Sequence, residues 1–122
     1  GEGCELIRHA TVGGAALSRR AGNVFRHPRV VNPLHPAQKP EPLIAEWLDL
    51  TTVPGDLVVD PFGGAATTAA VCKATGRSGL SCELDVEDEG YFAKGEARLE
   101  GVAAGPADPA GGEPPADAED SA

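Results

Sequence analysis

The chain has no methionine, one tryptophan, one tyrosine and three phenylalanines in 122 residues, so aromatic side chains make up only 4% of it. With so few large apolar groups, any core must be small and built from aliphatic and alanine packing. Cys4, Cys72 and Cys82 form no Cys-x-x-Cys pair and share no ligand spacing with His9, His27 and His35. A disulfide framework and a zinc site are therefore disfavoured, and the expectation is reduced thiols in a cytoplasmic protein with no bound metal. No apolar run approaches the roughly 18 residues of a membrane span and no signal-peptide pattern occurs, so no membrane partner is expected. The glycines match neither Gly-x-Gly-x-x-Gly nor a Gly-Lys-Ser/Thr loop, because Gly64 is followed by Ala65, Ala66, Thr67 and Thr68. Dinucleotides and nucleoside triphosphates are disfavoured.

Positive charge is scarce as well, with a formal net charge of −9, but the imbalance is local. Residues 101–122 contain Asp108, Glu113, Asp117, Glu119 and Asp120 without one basic residue, and otherwise only Gly, Val, Ala, Pro and Ser. Such a segment buries too little apolar surface to offset its ordering entropy, which predicts a disordered acidic tail. The opposite end is basic, with Arg8, Arg19, Arg20, Arg26 and Arg29 against Glu2 and Glu5. Residues 1–34 read as an irregular segment, either adjacent to DNA or simply a solvated loop.

What is present is concentrated in VVDPFGGAATTAAVCKATGRSGLSCE, from Val58 to Glu83. Leu57-Val58-Val59 suits a buried strand ending at Asp60, and Gly63-Gly64 permits a sharp turn. Ala65 to Ala74 is a helix-forming run closed by Gly76, and Gly79 to Cys82 forms a second strand leading to Glu83. In an open parallel sheet, ligands collect beyond the carboxyl ends of the strands, where Asp60 and Glu83 would both lie. The glycine turn and helix start offer backbone amides to an anion, and Thr67 and Thr68 add hydroxyls. An acid about 20 residues after a glycine turn commonly takes ribose hydroxyls, which is the position of Glu83. A ligand with a carboxylate, an ammonium group and a ribose would use all of these, as S-adenosylmethionine does. An ordinary β–α–β unit without a ligand is the alternative. Upstream, HPAQKP leads into an amphipathic helix from about Pro40 to Leu50 with Leu43, Ile44, Trp47, Leu48 and Leu50 on its apolar face. Val53-Pro54-Gly55-Asp56 is a tight turn into the strand. His35 fixes the turn before that helix.

The segments HPAQKPEPLIAEWL, PGDLVVDPFGGAATTAA, TGRSGLSCEL and YFAKGEARL, in this order, resemble the S-adenosylmethionine-dependent DNA methyltransferases that modify adenine N6 or cytosine N4. The resemblance implies an α/β, Rossmann-like methyltransferase fold, present in part, with its cofactor-binding part at 35–100. It implies that Asp60 binds the ammonium group, that Phe62 lies against the cofactor and that Gly64 gives close backbone approach. By the same resemblance, Thr67 and Thr68 hold the carboxylate with Lys39 as a second contact, Glu83 pairs with the ribose, and Leu84 packs on the adenine. Each role has a structural alternative: Asp60 and the threonines could be caps, Phe62 core, and Lys39 a solvated charge.

Two departures from the family matter. Ala66 stands where many members have a second glycine, and its methyl would crowd a backbone with positive φ. The family's catalytic segment, an Asp, Asn or Ser before Pro-Pro-aromatic, is missing; the only Pro-Pro, Pro114-Pro115, lies between Glu113 and Ala116. A target base must leave the duplex and stack on such an aromatic group. The expectation is therefore a fragment of a restriction-modification type enzyme, inactive alone, or a noncatalytic cofactor- or partner-binding remnant. DNA is its partner through the intact enzyme, with a catalytic-half polypeptide as a possible second partner. A closing helix from about Glu87 to Leu99, carrying Tyr91, Gly95 and Arg98, reads as scaffold, with Tyr91, Phe92 and Leu99 packing it on the sheet.

Overall fold

The computed structural model describes residues 4–85 and 90–106. The elements run α1 (Glu41–Thr51), β1 (Leu57–Asp60), α2 (Thr67–Ala74), β2 (Ser78–Ser81) and α3 (Tyr91–Glu100). Residues 4–40 form no helix or strand.

Helix α1 starts after Pro40, which holds an extended conformation, and carries Glu41 in its first turn, where a carboxylate suits the positive end of the helix dipole. Its last carbonyls are satisfied from outside the helix. Ser18 donates from its amide to the Leu50 carbonyl (2.9 Å) and from its hydroxyl to the Asp49 carbonyl (2.8 Å). Arg77 reaches across from the α2–β2 connection and donates to the hydroxyl of Thr52 (2.7 Å) and to its carbonyl (3.1 Å). The amino-terminal segment lies along the same helix. Phe25 and His9 pack their rings on Trp47 with centroids 5.3 and 5.9 Å away, and His27 bonds Glu46 at 2.8 Å.

The turn at residues 53–56 closes through the Asp56 amide, which donates to the Val53 carbonyl (3.1 Å), and the Asp56 carboxylate accepts from the Val53 amide (3.0 Å). Strands β1 and β2 then pair in parallel, Leu57 opposite Ser78 through Asp60 opposite Ser81. The second strand lies one residue earlier than the expected Gly79–Cys82. Helix α2 crosses between the two strands and ends when the Arg77 amide donates to the Cys72 carbonyl (2.8 Å), a Schellman closure with Gly76 at φ 70°. Gly79 lets α2 lie close on β2, since a Cβ there would stand 3.2 Å from both Ala69 Cα and Cys72 Cβ.

The core is the alanine-rich face of α2 with Val71 and Cys72, closed by Leu48 of α1 and by the half-buried Ile44, Ala45 and Val58; Leu50 of α1 is buried as well. Helix α2 covers one side of the sheet, and α1 packs against α2. Leu57, Val59 and Leu80 remain exposed on the other side.

The run Leu57-Val58-Val59, expected as a buried strand, buries only its Val58 side, because nothing among the described residues covers the other face. Further boundaries and one helix packing change. Helix α2 begins at Thr67, not Ala65, because Ala66 is left-handed and cannot belong to the helix. Helix α3 begins at Tyr91 after Gly90 at φ 71°; residues 86–89, where the sequence places the helix start, lie outside the described residues. It packs on α2 rather than on the sheet, and Phe92 is exposed. Residues 101–106, assigned from sequence to the tail, continue against α2, the Gly105 amide donating to the Lys73 carbonyl (2.8 Å). The expectation of disorder for 107–122 lies outside the described residues.

Cys72 is completely buried and its burial pushes the thiol above its ordinary pKa, with Cys4 and Cys82 both exposed. Since the thiolate is the reactive form, alkylation of the folded chain at mildly alkaline pH is expected to modify Cys4 and Cys82 quickly and Cys72 only in denaturant, as read by peptide mass spectrometry. Equal rates at all three would mean that α2 is not seated on the sheet.

Candidate functional site

The site begins where β1 stops. The Cys82 amide donates to the Asp60 carbonyl (2.9 Å) and the Gly63 amide donates to the Cys82 carbonyl (2.7 Å), so the loop after β1 is stitched to the end of β2. A side chain at position 63 would collide with Ser81, whose hydroxyl oxygen would stand 1.9 Å from its Cβ. Asp60 accepts from the Phe62 amide at 3.0 Å, forming an Asx turn. The capping role weighed for Asp60 is thus present, and it uses one of the two carboxylate oxygens.

The loop then turns left-handed at Gly64 (φ 51°) and again at Ala66 (φ 59°). For alanine this conformation costs roughly 1–2 kcal/mol. The Ala66 amide donates to the Gly63 carbonyl (2.8 Å) and its carbonyl accepts from the Ala70 amide (2.9 Å), which fixes it as the residue before α2. The backbone strain expected at Ala66 is therefore present, and the buried Gly95 of α3 leaves space for its methyl without removing that strain. A Cβ at Gly95 would stand 3.1 Å from that of Ala66. Gly95 therefore makes room at the point where the loop meets the helix.

Glu83 lies against this loop and accepts from the Gly64 amide (2.6 Å) and from the Asp85 amide (3.3 Å). Thr67 is buried, and its hydroxyl oxygen accepts from Arg98 Nη1 at 2.9 Å. Thr68 is half-buried beside it, and no side chain among the described residues caps the start of α2. Phe62 and Leu84 are 88% and 83% exposed, which removes the core alternative for Phe62. Lys39 pairs with Glu5 at 2.7 Å and holds that carboxyl below its ordinary pKa. His35 accepts from the Ala37 amide at 3.0 Å, which fixes its turn as expected. Its ring also packs on Tyr91 (4.3 Å between centroids) and would touch a Cβ at Gly64 at 3.4 Å.

All eight cofactor-binding residues expected from the sequence line one cleft of about 700 Å³. Asp60, Phe62 and Gly64 come from the loop, Thr67 and Thr68 from α2, Glu83 and Leu84 from beyond β2, and Lys39 from the approach to α1. That volume is in the range of small-molecule sites. Two acids, an uncapped helix start with hydroxyls, and exposed apolar side chains form a donor and acceptor set for a ligand bearing a cation, an anion, a diol and a flat ring. Sequence reasoning missed Arg98, which joins the cleft through Thr67 across 31 residues. Its place in the closing segment was the only sign, and that segment reads locally as scaffold.

Strand, glycine loop, helix and a second strand followed by an acid define a class, the Rossmann-like α/β units that bind nucleoside-bearing ligands. A family model described as DNA methylase, for N6 and N4 methyltransferases, matches residues 14–92, and the chain belongs to that family. It is 40% identical over 84 residues to the DNA adenine methyltransferase YhdJ of Escherichia coli (strain K12), a match covering 65% of this chain and 28% of that protein. It is 37% identical over 79 residues to the type II methyltransferase M.BglII of Bacillus subtilis, covering 61% and 22%. The crystal structure of the M1.HpyAVI-SAM complex superposes with a TM-score of 0.55 at 28% identity, covering 69% of this chain and 43% of that one. The chain spans less than a third of the length of these two curated relatives.

The Ala66–Gly95 contact gives a double-mutant test. Ala66→Gly is expected to stabilise the fold by about 1 kcal/mol through relief of the left-handed alanine. Gly95→Ala gains helix propensity but crowds Ala66, for an expected net loss of about 1 kcal/mol that disappears when position 66 is glycine. Urea denaturation of the four variants measures the coupling. Additive effects would mean that the two residues do not touch.

Proposed function

We propose that this chain is the cofactor-binding part of a DNA amino-methyltransferase and that its cleft takes S-adenosylmethionine. The observation that carries the reading is the convergence of Asp60, Glu83, Phe62, Leu84 and the threonines of the α2 start on one cleft. The residues fit that cofactor on chemical grounds. The second oxygen of Asp60 takes the ammonium group, and Glu83, already oriented by the Gly64 amide, has lone pairs left for the ribose hydroxyls. Exposed Phe62 and Leu84 provide apolar cover for the cofactor and its adenine. The uncapped amides and hydroxyls at Thr67 and Thr68 receive the carboxylate, with Lys39 exchanging Glu5 for it.

When bound, the cofactor supplies an electrophilic methyl group for adenine N6 or cytosine N4. This chain's residues hold and orient it; none of them supplies the Pro-Pro-aromatic platform on which a target base would be held. The chain alone is therefore inactive in this reading, and a catalytic-half polypeptide, or a further part of the same one, completes the enzyme in a cytoplasmic, restriction-modification type setting. The exposed Arg8, Arg20 and Arg26 form no ion pair among the described residues and are the groups of this chain suited to phosphate. The missing platform also favours a second reading, a noncatalytic module that binds cofactor and transfers nothing.

Isothermal titration of S-adenosylmethionine into the chain tests the cleft. Binding is expected, and Asp60→Ala should weaken it at least about tenfold, the scale of a charged hydrogen bond. A folded chain that binds no cofactor would end the reading. Transfer of labelled methyl to DNA only after adding a polypeptide with the Pro-Pro-aromatic segment would separate the enzyme from the module.

A further inference from the structure

Arg98 has no role in the cofactor reading, yet its guanidinium is better placed than a scaffold arginine requires. It leaves the last turn of α3 with its side chain only 13% exposed. Nη1 donates to both the Ala65 carbonyl (2.9 Å) and the Thr67 hydroxyl oxygen (2.9 Å), and Nη2 pairs with Glu41. One cation thus holds the end of the glycine loop, the first hydroxyl of α2 and the first turn of α1.

A hydroxyl has two lone pairs and one proton to give. In Thr67 a lone pair is engaged by a cationic donor, so the proton must point elsewhere, and Thr67 lines the cleft. A donor that is itself polarised by a charge makes a stronger hydrogen bond in turn. Glu41 offsets part of the arginine's charge, but it takes the other nitrogen and is mostly solvent-exposed, where its field is screened. The arm toward Thr67 is in the buried part of the site.

We propose that Arg98 is a positioning residue of the cofactor site, setting the Thr67 hydroxyl as a donor to the ligand carboxylate and placing a positive charge one hydroxyl away from that anion. The proposal rests on the assignment of Thr67 to the carboxylate. A brace without this role would affect the binding of every ligand alike, whereas Arg98 distinguishes ligands by their carboxylate.

The test is calorimetric titration of S-adenosylmethionine and of decarboxylated S-adenosylmethionine, which differ only in that group, into the full chain and its variants. The parent is expected to bind the carboxylate-bearing ligand more tightly. Arg98→Met is expected to weaken it by about tenfold and the decarboxylated ligand by less than about twofold, so the preference collapses. Equal losses for both ligands would overturn the proposal and leave Arg98 a brace. Arg98→Lys, which keeps the cation but not the fork, is expected to give an intermediate preference. It decides the matter if the methionine variant does not fold, and a preference equal to the parent's would count against the proposal. Glu41→Gln removes the arm to α1 and should leave the preference intact; a collapse there would also overturn it. A parent that binds neither ligand refutes the cofactor reading itself, while one that binds both equally refutes only the role given to Thr67 and Arg98.

Discussion

The turn between β1 and α2 has to leave the sheet, expose its amides to a ligand and start a helix within a few residues. It does so through two left-handed residues, Gly64 and Ala66, and the rest of the structure follows from them. Because Ala66 is left-handed, α2 cannot begin before Thr67, which places both threonines in the first turn at the cleft. Because Gly64 is left-handed, its amide is turned to Glu83 and draws the chain after β2 over the loop. The strain at Ala66 is comparable with one or two net hydrogen bonds, about 1 kcal/mol each, and the loop makes several such bonds to the ends of both strands. Helix α3 must then approach through a glycine, since any side chain at position 95 would meet the Ala66 methyl.

The core obeys the same economy of space. Small residues on α2 and Gly79 on β2 bring helix and sheet close, so a chain with almost no aromatic side chains still closes around Leu50 and Cys72. It does so on one face only. Parallel sheets are ordinarily covered on both faces, and Leu57, Val59 and Leu80 are open to solvent here. Among the described residues nothing covers that apolar sheet face, and the chain spans less than a third of its curated relatives' length. The irregular amino-terminal segment partly compensates by a different route, since Ser18 serves the carbonyl end of α1 and Phe25 covers Trp47.

The parts that were legible in the sequence are those fixed by neighbours along the chain. Hydrophobic runs gave β1 and the buried face of α1, Gly76 marked the end of α2, and the acid after the second strand could be placed by counting from the glycine loop. The misplaced start of α2 has a simple cause. Alanine favours helix intrinsically, and nothing adjacent to Ala66 reveals that Gly95, in another helix, leaves room for a left-handed alanine. Nor did local pattern show the partners of the cleft residues. Arg98 on Thr67, Glu5 on Lys39 and His35 on Tyr91 are pairings set by tertiary packing between segments whose own sequences read as scaffold or solvated loop. The continuation through residues 101–106 was hidden by composition, because a backbone bond from Gly105 to Lys73 leaves no mark on the side-chain pattern.

The distribution of charge gives the site its logic under the proposed function. S-adenosylmethionine carries a sulfonium and an ammonium against one carboxylate, so a cleft that receives it benefits from more acid than base. Asp60 and Glu83 provide that acid, and the anionic end is met by a hydroxyl backed by Arg98 and by Lys39, whose charge is held by Glu5 until the ligand arrives. DNA asks for the reverse. An unpaired cation in the cleft would attract phosphate to the place where the cofactor belongs, and acids spread over the DNA side would repel DNA. This chain separates the two demands: the exposed arginines are in the irregular segment before residue 30, and the cation nearest the cleft's threonines is buried behind a hydroxyl and paired with Glu41. The formal charge of −9 therefore describes neither surface, because much of it belongs to the carboxylates after residue 107.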